Sequence, residues 1–216
     1  MTKIGIIGAT GMAGSAIFKE AQKAGLEVTA IVRNSSKAKE LLGDNIEVLE
    51  KDAFELSKND LANFDVLVNA FSTAPSQAYQ HVDLAAHLIH LFRETEQPRL
   101  IFILGAGSLH SGEDRHLVVE DIKKTPGSEE WIATPENQLA ELHFLQEVKN
   151  VNWTGISPGA SFVAGPAAEN ILYGKEELLV DKNGQSETTA GTMAKVIVKE
   201  IQEPAHKRER FTVANG

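Results

Sequence analysis

Three glycines, Gly8, Gly11 and Gly14, stand between an apolar β-branched stretch (Ile4, Ile6, Ile7) and a helix-forming stretch that begins near Ser15. That order of residue types suits the holding of a pyrophosphate. The first glycine permits a tight turn, the second lets a phosphate reach the backbone, and the third lets the helix pack on the strand. The helix then turns its free N–H groups and positive dipole end toward the anion. Gly8, Thr10, Gly11, Met12, Ala13 and Gly14 are therefore expected to contact a dinucleotide. Arg33 follows nineteen residues beyond Gly14, where a nucleotide fold inspects the adenosine ribose. An acid there would hold a 2′-hydroxyl, whereas a guanidinium, with Asn34 beside it, can pair with a 2′-phosphate, so NADP(H) is the expected cofactor.

Farther along, Asp52 either accepts from an adenine amino group or caps its own turn, with Ala53 next to it. Asn69, Ala70 and Phe71 leave a strand beside the expected ribose and pyrophosphate, and Gly105, Ser157 and Pro158 fall where the nicotinamide should lie. Ser108 is the candidate orienting hydrogen-bond donor at the reacting end. Ser108, His110, Gly159 and Phe162 are expected to line an acceptor, and His110 or His116 either donates a proton or is a solvated loop residue. Asp83, His87 and His90 recur at helical spacing, but no fourth ligand accompanies them and a solvated helix edge explains them, so no metal is expected.

These residues need elements to position them. Stretches 27–32, 46–50, 65–70, 99–108, 153–158 and 210–213 are rich in β-branched and aliphatic residues and read as strands. Between them, 15–24, 38–42, 77–93, 135–148 and 188–201 carry helical periodicity, with Leu139, Leu142, Leu145 and Val148 expected to face the core. Such alternation predicts an α/β fold with a parallel sheet. A short strand is expected at 178–180 before a tight turn at 181–184. Segments 107–133 and 158–187 are expected to form flaps over a substrate site at the carboxyl edge of the sheet. With no repeat or linker in 216 residues, one domain over 1–216 is expected.

Charge and composition narrow the partners. A net charge of −9 argues against a phosphate-backbone ligand such as nucleic acid, which needs clustered Lys and Arg. The absence of cysteine removes thiolate chemistry and fits a reducing cytoplasm. With no long apolar run, a soluble cytoplasmic protein is expected, without a membrane partner, as a monomer or homodimer acting on a small molecule.

Gly8-Ala9-Thr10-Gly11-Met12-Ala13-Gly14, Val32-Arg33-Asn34 and Trp153-Thr154-Gly155-Ile156-Ser157-Pro158 resemble the atypical short-chain dehydrogenase/reductases with an NAD(P)-binding, NmrA-like domain. The ending Pro204-Ala205-His206 with Arg210-Phe211-Thr212-Val213 is also similar to theirs, and the resemblance as a whole is close to the flavin reductase and biliverdin reductase B group. The resemblance implies a Rossmann-type doubly wound parallel sheet of strand order 3-2-1-4-5-6 with an added C-terminal strand, binding NADP(H). It also exposes a departure. Alcohol-oxidising members carry Tyr-x-x-x-Lys some 25 residues past the Ser108 position, where this chain has Thr134 and Gln138; its only tyrosines are Tyr79 and Tyr173. The resemblance thus implies an NADPH-dependent reductase that passes hydride to a flavin or quinone, or alternatively a non-catalytic NADP(H)-sensing protein.

Overall fold

The computed structural model describes residues 1–216. Strand β1 (Lys3–Ile7) forms the middle of the sheet because its last four residues are apolar or glycine and buried on both faces. It pairs in parallel with β2 (Glu27–Val32) on one side and β4 (Val66–Asn69) on the other. Beyond β2 lies β3 (Glu47–Glu50), and beyond β4 lie β5 (Thr95–Ile103) and β6 (Val151–Ser157). A strand near the end of the chain, Glu209–Asn215, adds in parallel to β6, and Ile171–Gly174 closes that edge antiparallel to it. Numbering Ile171–Gly174 as β7 and Glu209–Asn215 as β8, the eight strands run β7-β8-β6-β5-β4-β1-β2-β3. The order 3-2-1-4-5-6 and the added strand are as expected; the antiparallel edge was not.

Helices cover both faces. On one, α1 (Met12–Lys23) packs against α7 (Ala190–Gln202), burying Ile17, Phe18, Met193 and Ile197 against Ile4, Ile6 and Phe211. On the other, α4 (Gln80–Leu91) packs against α6 (Ala133–Gln146), with Leu84, Leu88, Leu142 and Leu145 over Leu67, Leu100 and Phe102. Helices α1, α4 and α7 each cover a sheet face with an apolar stripe, whereas the buried side of α6 also carries Glu141. The short helices α2 (Ser35–Leu42), α3 (Lys58–Leu61) and α5 (Val118–Lys123) fill connections.

Several boundaries move for identifiable reasons. Helix α1 begins at Met12 rather than Ser15, because Gly11 serves as its N-cap. Strand β5 ends at Ile103, and Ala106–Ser108 turns away as a 3₁₀ segment. No strand forms at 178–180; Leu178 N donates to His110 O at 2.8 Å and Glu177 bridges His110, so this stretch ties one loop to another while 171–174 enters the sheet. In α6, Leu142 and Leu145 are buried as expected, as is Val148 just past its end, but Leu139 is only half-buried, and Glu141 takes the inward place. A constant step of three drifts around a 3.6-residue helix, so four leucine-type positions cannot share one face.

Candidate functional site

The carboxyl ends of β1, β2 and β4 open into a cleft of about 590 Å³. Its floor is the turn after β1. Gly8 has φ +77°, and a Cβ there would sit 2.7 Å from Ala70 O, so the position accepts neither an ordinary conformation nor a side chain. Gly14 lies in the first turn of α1, where a Cβ would come 2.2 Å from Gly8 O; the helix touches the turn because nothing intervenes. Gly11 N donates to Gly8 O at 2.9 Å. As N-cap, Gly11 has no side chain to bond the first helical amides, and no acid stands in the first turn of α1. Those amides and the positive end of the helix are left to an anion, so the residues present fit a pyrophosphate.

Gly8, Thr10, Gly11, Arg33, Asp52, Ala53, Ala70 and Phe71 line this cleft together. Arg33 is exposed, and Lys37 from the first turn of α2 stands at the same rim, a second cation that sequence spacing alone does not single out. Asn34 acts differently: its Oδ1 accepts from Lys37 N at 2.8 Å, capping α2 and thereby holding both cations at the rim. Asp52 also caps, accepting from Phe54 N at 2.9 Å, and lines the cleft as well. Asn69 is buried, with Oδ1 accepting from Phe71 N at 3.2 Å, which fixes the exit of β4. Gln77 and Gln80 extend the lining to the start of α4, and Thr73 Oγ1 donates to Gln80 Oε1 at 3.2 Å.

The remaining candidates, beyond β5 and β6, are drawn into bonds within the chain. Ser108 is buried; its hydroxyl donates to Gly105 O at 3.0 Å and accepts from Arg210 Nη1 at 3.0 Å. The same Nη1 reaches Ser157 Oγ at 3.1 Å, and Arg210 Nη2 pairs with Glu176. Arg210 comes from β8, and its side chain is almost fully buried. Pro158 and Gly159 are buried, Gly159 N donating to Thr188 Oγ1 at 2.8 Å, and Phe162 is half-buried against the core below α7. Gly105 lies against α6, where a Cβ would meet Gln138 Oε1 at 2.2 Å.

Two loops meet over this end. Residues 110–111 and 116–117 form a small hairpin, in which His110 Nδ1 bonds Arg115 O at 2.6 Å. His116 bonds Asp114 and Asp121 through its two ring nitrogens, at 2.6 and 2.5 Å, and these carboxylates hold its pKa above the ordinary imidazole value. His110 N donates to Glu176 O at 2.8 Å, and Arg115 pairs with Glu177, so the hairpin is stitched to the segment after β7. Of the residues at helical spacing on α4, His87 Nε2 donates to Leu56 O at 2.7 Å, while Asp83 and His90 are exposed.

Behind the cleft lies a buried pair. His81 of α4 and Glu141 of α6 are 4% and 1% exposed, with Nδ1 3.9 Å from Oε2. That carboxyl oxygen has no hydrogen-bond partner in the protein. Burial pushes the Glu141 carboxyl well above the usual carboxylate range and holds the His81 imidazole below its own. The only available signal was a charged residue inside an apolar helical repeat.

The NAD(P)H-binding family matches residues 8–204. YwnB of Bacillus subtilis, an uncharacterized protein, is 41% identical over 214 residues, covering 99% of this chain and 98% of its own. A solved protein of Lactobacillus casei is 39% identical with a TM-score of 0.92, and a candidate NADH-flavin reductase of Streptococcus pneumoniae is 32% identical with a TM-score of 0.88; both cover 100% of each chain. No helix of the chain is long and apolar enough to cross a membrane. The bare glycine turn under α1, the strand order and these relatives agree, and the chain belongs to the NAD(P)H-binding family, with the fold of the atypical short-chain dehydrogenase/reductases.

Proposed function

We propose that the protein is an NADPH-dependent reductase that delivers hydride to a planar conjugated acceptor, a flavin or a quinone. The observation that carries the cofactor choice is the rim of the cleft. Arg33 and Lys37 both stand there, held by the Asn34 cap, and no acid replaces them at the end of β2. Two cations suit a 2′-phosphate, and Arg33 can meet it with two parallel N–H donors. The pneumococcal relative is described for NADH and a flavin; the flavin supports the acceptor class here, while Arg33 and Lys37 favour the phosphorylated cofactor.

In this reading Gly8, Gly11 and the first amides of α1 hold the pyrophosphate, Asp52 and Ala53 flank the adenine, and Ala70 and Phe71 wall the central part of the cofactor. A bound nicotinamide supplies the hydride. The chain supplies orientation and exclusion of water, the two contributions a cofactor enzyme makes when the hard chemistry belongs to the cofactor. The stretches 107–133 and 158–187 serve as the flaps at the reacting end, and Ser108 acts there as an orienting residue through the loop it anchors. With Thr134 and Gln138 where a Tyr–Lys pair would stand, a hydroxyl substrate has no base to deprotonate it, which favours an acceptor reduced at a conjugated ring.

The test has two arms. NADPH and NADH are titrated into the wild type and Arg33→Ala; the expected result is tighter NADPH binding and a fall of about tenfold or more in the preference on substitution, the loss of a charge-assisted pair. Wild type preferring NADH would overturn the cofactor choice. NADPH oxidation is then followed with free flavins and quinones. Binding without turnover on any of them would favour the sensing alternative.

A further inference from the structure

Glu141 is the chain's best-buried carboxyl group in a place no other function claims. Its Oε2 has no hydrogen-bond partner in the protein, and His81 Nδ1 stands 3.9 Å away across the α4–α6 contact. The pair is close behind the cleft wall. The His81 ring meets the Phe71 ring edge-on, with centroids 5.7 Å apart, and Phe71 lines the cleft. Thr134, Gln138 and Glu141 fall on one face of α6 at steps of four and three, and Gln138 covers Gly105 at the end of β5. One face of α6 thus carries Gln138 at the end of β5 and, one turn on, the buried acid.

We propose that Glu141, with His81, is the proton store of the reductase, protonated while the bound nicotinamide is neutral and deprotonated when the ring becomes cationic. The proposal rests on the NADP(H) reading of the cleft. Its chemistry balances. Reduction of a quinone or flavin by hydride oxidises the nicotinamide, leaves a positive charge on its ring, and gives an acceptor anion that needs one proton. The Glu141 O–H bond breaks to supply that proton through His81, and the carboxylate left behind faces the new cation. The carboxyl is restored by a proton from water after the oxidised cofactor leaves.

The electrostatic surroundings make the coupling specific. From α4, His81 is the titratable side chain turned toward Glu141, since Asp83 and His90 are exposed and His87 bonds Leu56. The other segments packed on α6 include 75–77 and 106–108, and neither these nor 66–69 and 100–104 of the underlying sheet contain a titratable residue. The remaining acids and the histidine of α6 itself, Glu136 and His143, are exposed, as is Glu147 at its end. A charge change in the cleft therefore has one buried acid to act on, in an environment of low dielectric.

The experiment reads cofactor binding, not turnover. Dissociation constants of NADP+ and NADPH are measured from pH 6 to 8.5 for the wild type and Glu141→Gln, an isosteric amide. Titration of the shared 2′-phosphate cancels in their ratio. The expected result is that NADP+ gains on NADPH by several-fold as pH rises in the wild type, because its binding expels a proton, and that the ratio is flat in the variant. Infrared difference spectra of the wild type should show a protonated carboxyl stretch with NADPH that is lost with NADP+. A flat ratio in wild type that binds both cofactors overturns the proton store and leaves the cofactor reading standing. An equal slope in Glu141→Gln assigns the proton elsewhere and overturns it too. Failure of the wild type to bind either cofactor overturns both.

Discussion

Around Gly8 the protein makes its site from main chain and emptied space; around Arg210 it fills the equivalent space with paired side chains. At the first, glycines stand where a Cβ would strike Ala70 O or Gly8 O, and the helix amides beside them are left without a cap. At the second, one guanidinium gathers Ser108, Ser157 and Glu176, groups 34 to 102 residues away in sequence. A surface of amides binds any phosphate and specifies little, so it can be the same in every member of a nucleotide fold. A network of side chains can be changed residue by residue, and it is where a particular acceptor would be selected.

The contrast can be broken most forcefully at the glycines. Gly14→Val places carbon against the Gly8 carbonyl and should destabilise the fold by about 3 kcal/mol or more, the upper range for overpacking a rigid contact. Gly11→Val meets nothing nearer than Gly8 O at 3.3 Å in an ordinary extended conformation, so the fold should survive. Its side chain enters the space above the amides, and cofactor affinity should fall on the order of a hundredfold, about 2.7 kcal/mol. Denaturant unfolding and cofactor titration should rank the two variants in opposite orders. Equal ranks would mean that the turn is not the phosphate site.

A smaller effect is expected at the other end. Arg210→Met strands the Ser157 hydroxyl and the Glu176 carboxylate and takes one donor from Ser108, and since Glu176 is 40% exposed the loss should be about 2 kcal/mol rather than the full cost of breaking a buried pair. NADPH affinity should hardly change. A variant of undiminished stability would show that the network is decorative. The smallest effect is at Ser108→Ala, which removes one donor and one acceptor among several and should lower stability by about 1 kcal/mol. If it instead weakens NADPH binding tenfold, Ser108 touches the cofactor and the division between the two ends is wrong.

The same contrast explains what the sequence made legible. The cradle, the first βαβ unit and Arg33 are local: their meaning is set by neighbours within about thirty residues, and the strand order follows from the alternation of elements. Nothing local marks Arg210, because its partners come from β6, from the 3₁₀ segment after β5 and from the loop after β7, a relation that spacing does not encode. Glu141 was hidden inside a leucine repeat whose step of three suggested a simple apolar face. Lys37 looked like one more surface lysine until α2 placed it beside Arg33. The edge strand 171–174 has an apolar run of only three residues, and its pairing partner is β8, some forty residues farther along.

That dependence on β8 sets an order in time. Every residue lining the cleft lies between Ile7 and Gln80, so its whole wall has been synthesised while more than half of the chain is still to come. The cation that ties Ser108 to Ser157 arrives only with residues 209–215, which also form the ladder for 171–174. Translation thus delivers the general part of the molecule first and its particular part last. For much of its emergence from the ribosome the chain carries every residue that lines the cleft, without the helix that packs on α1 or the strand that closes the far end of its sheet.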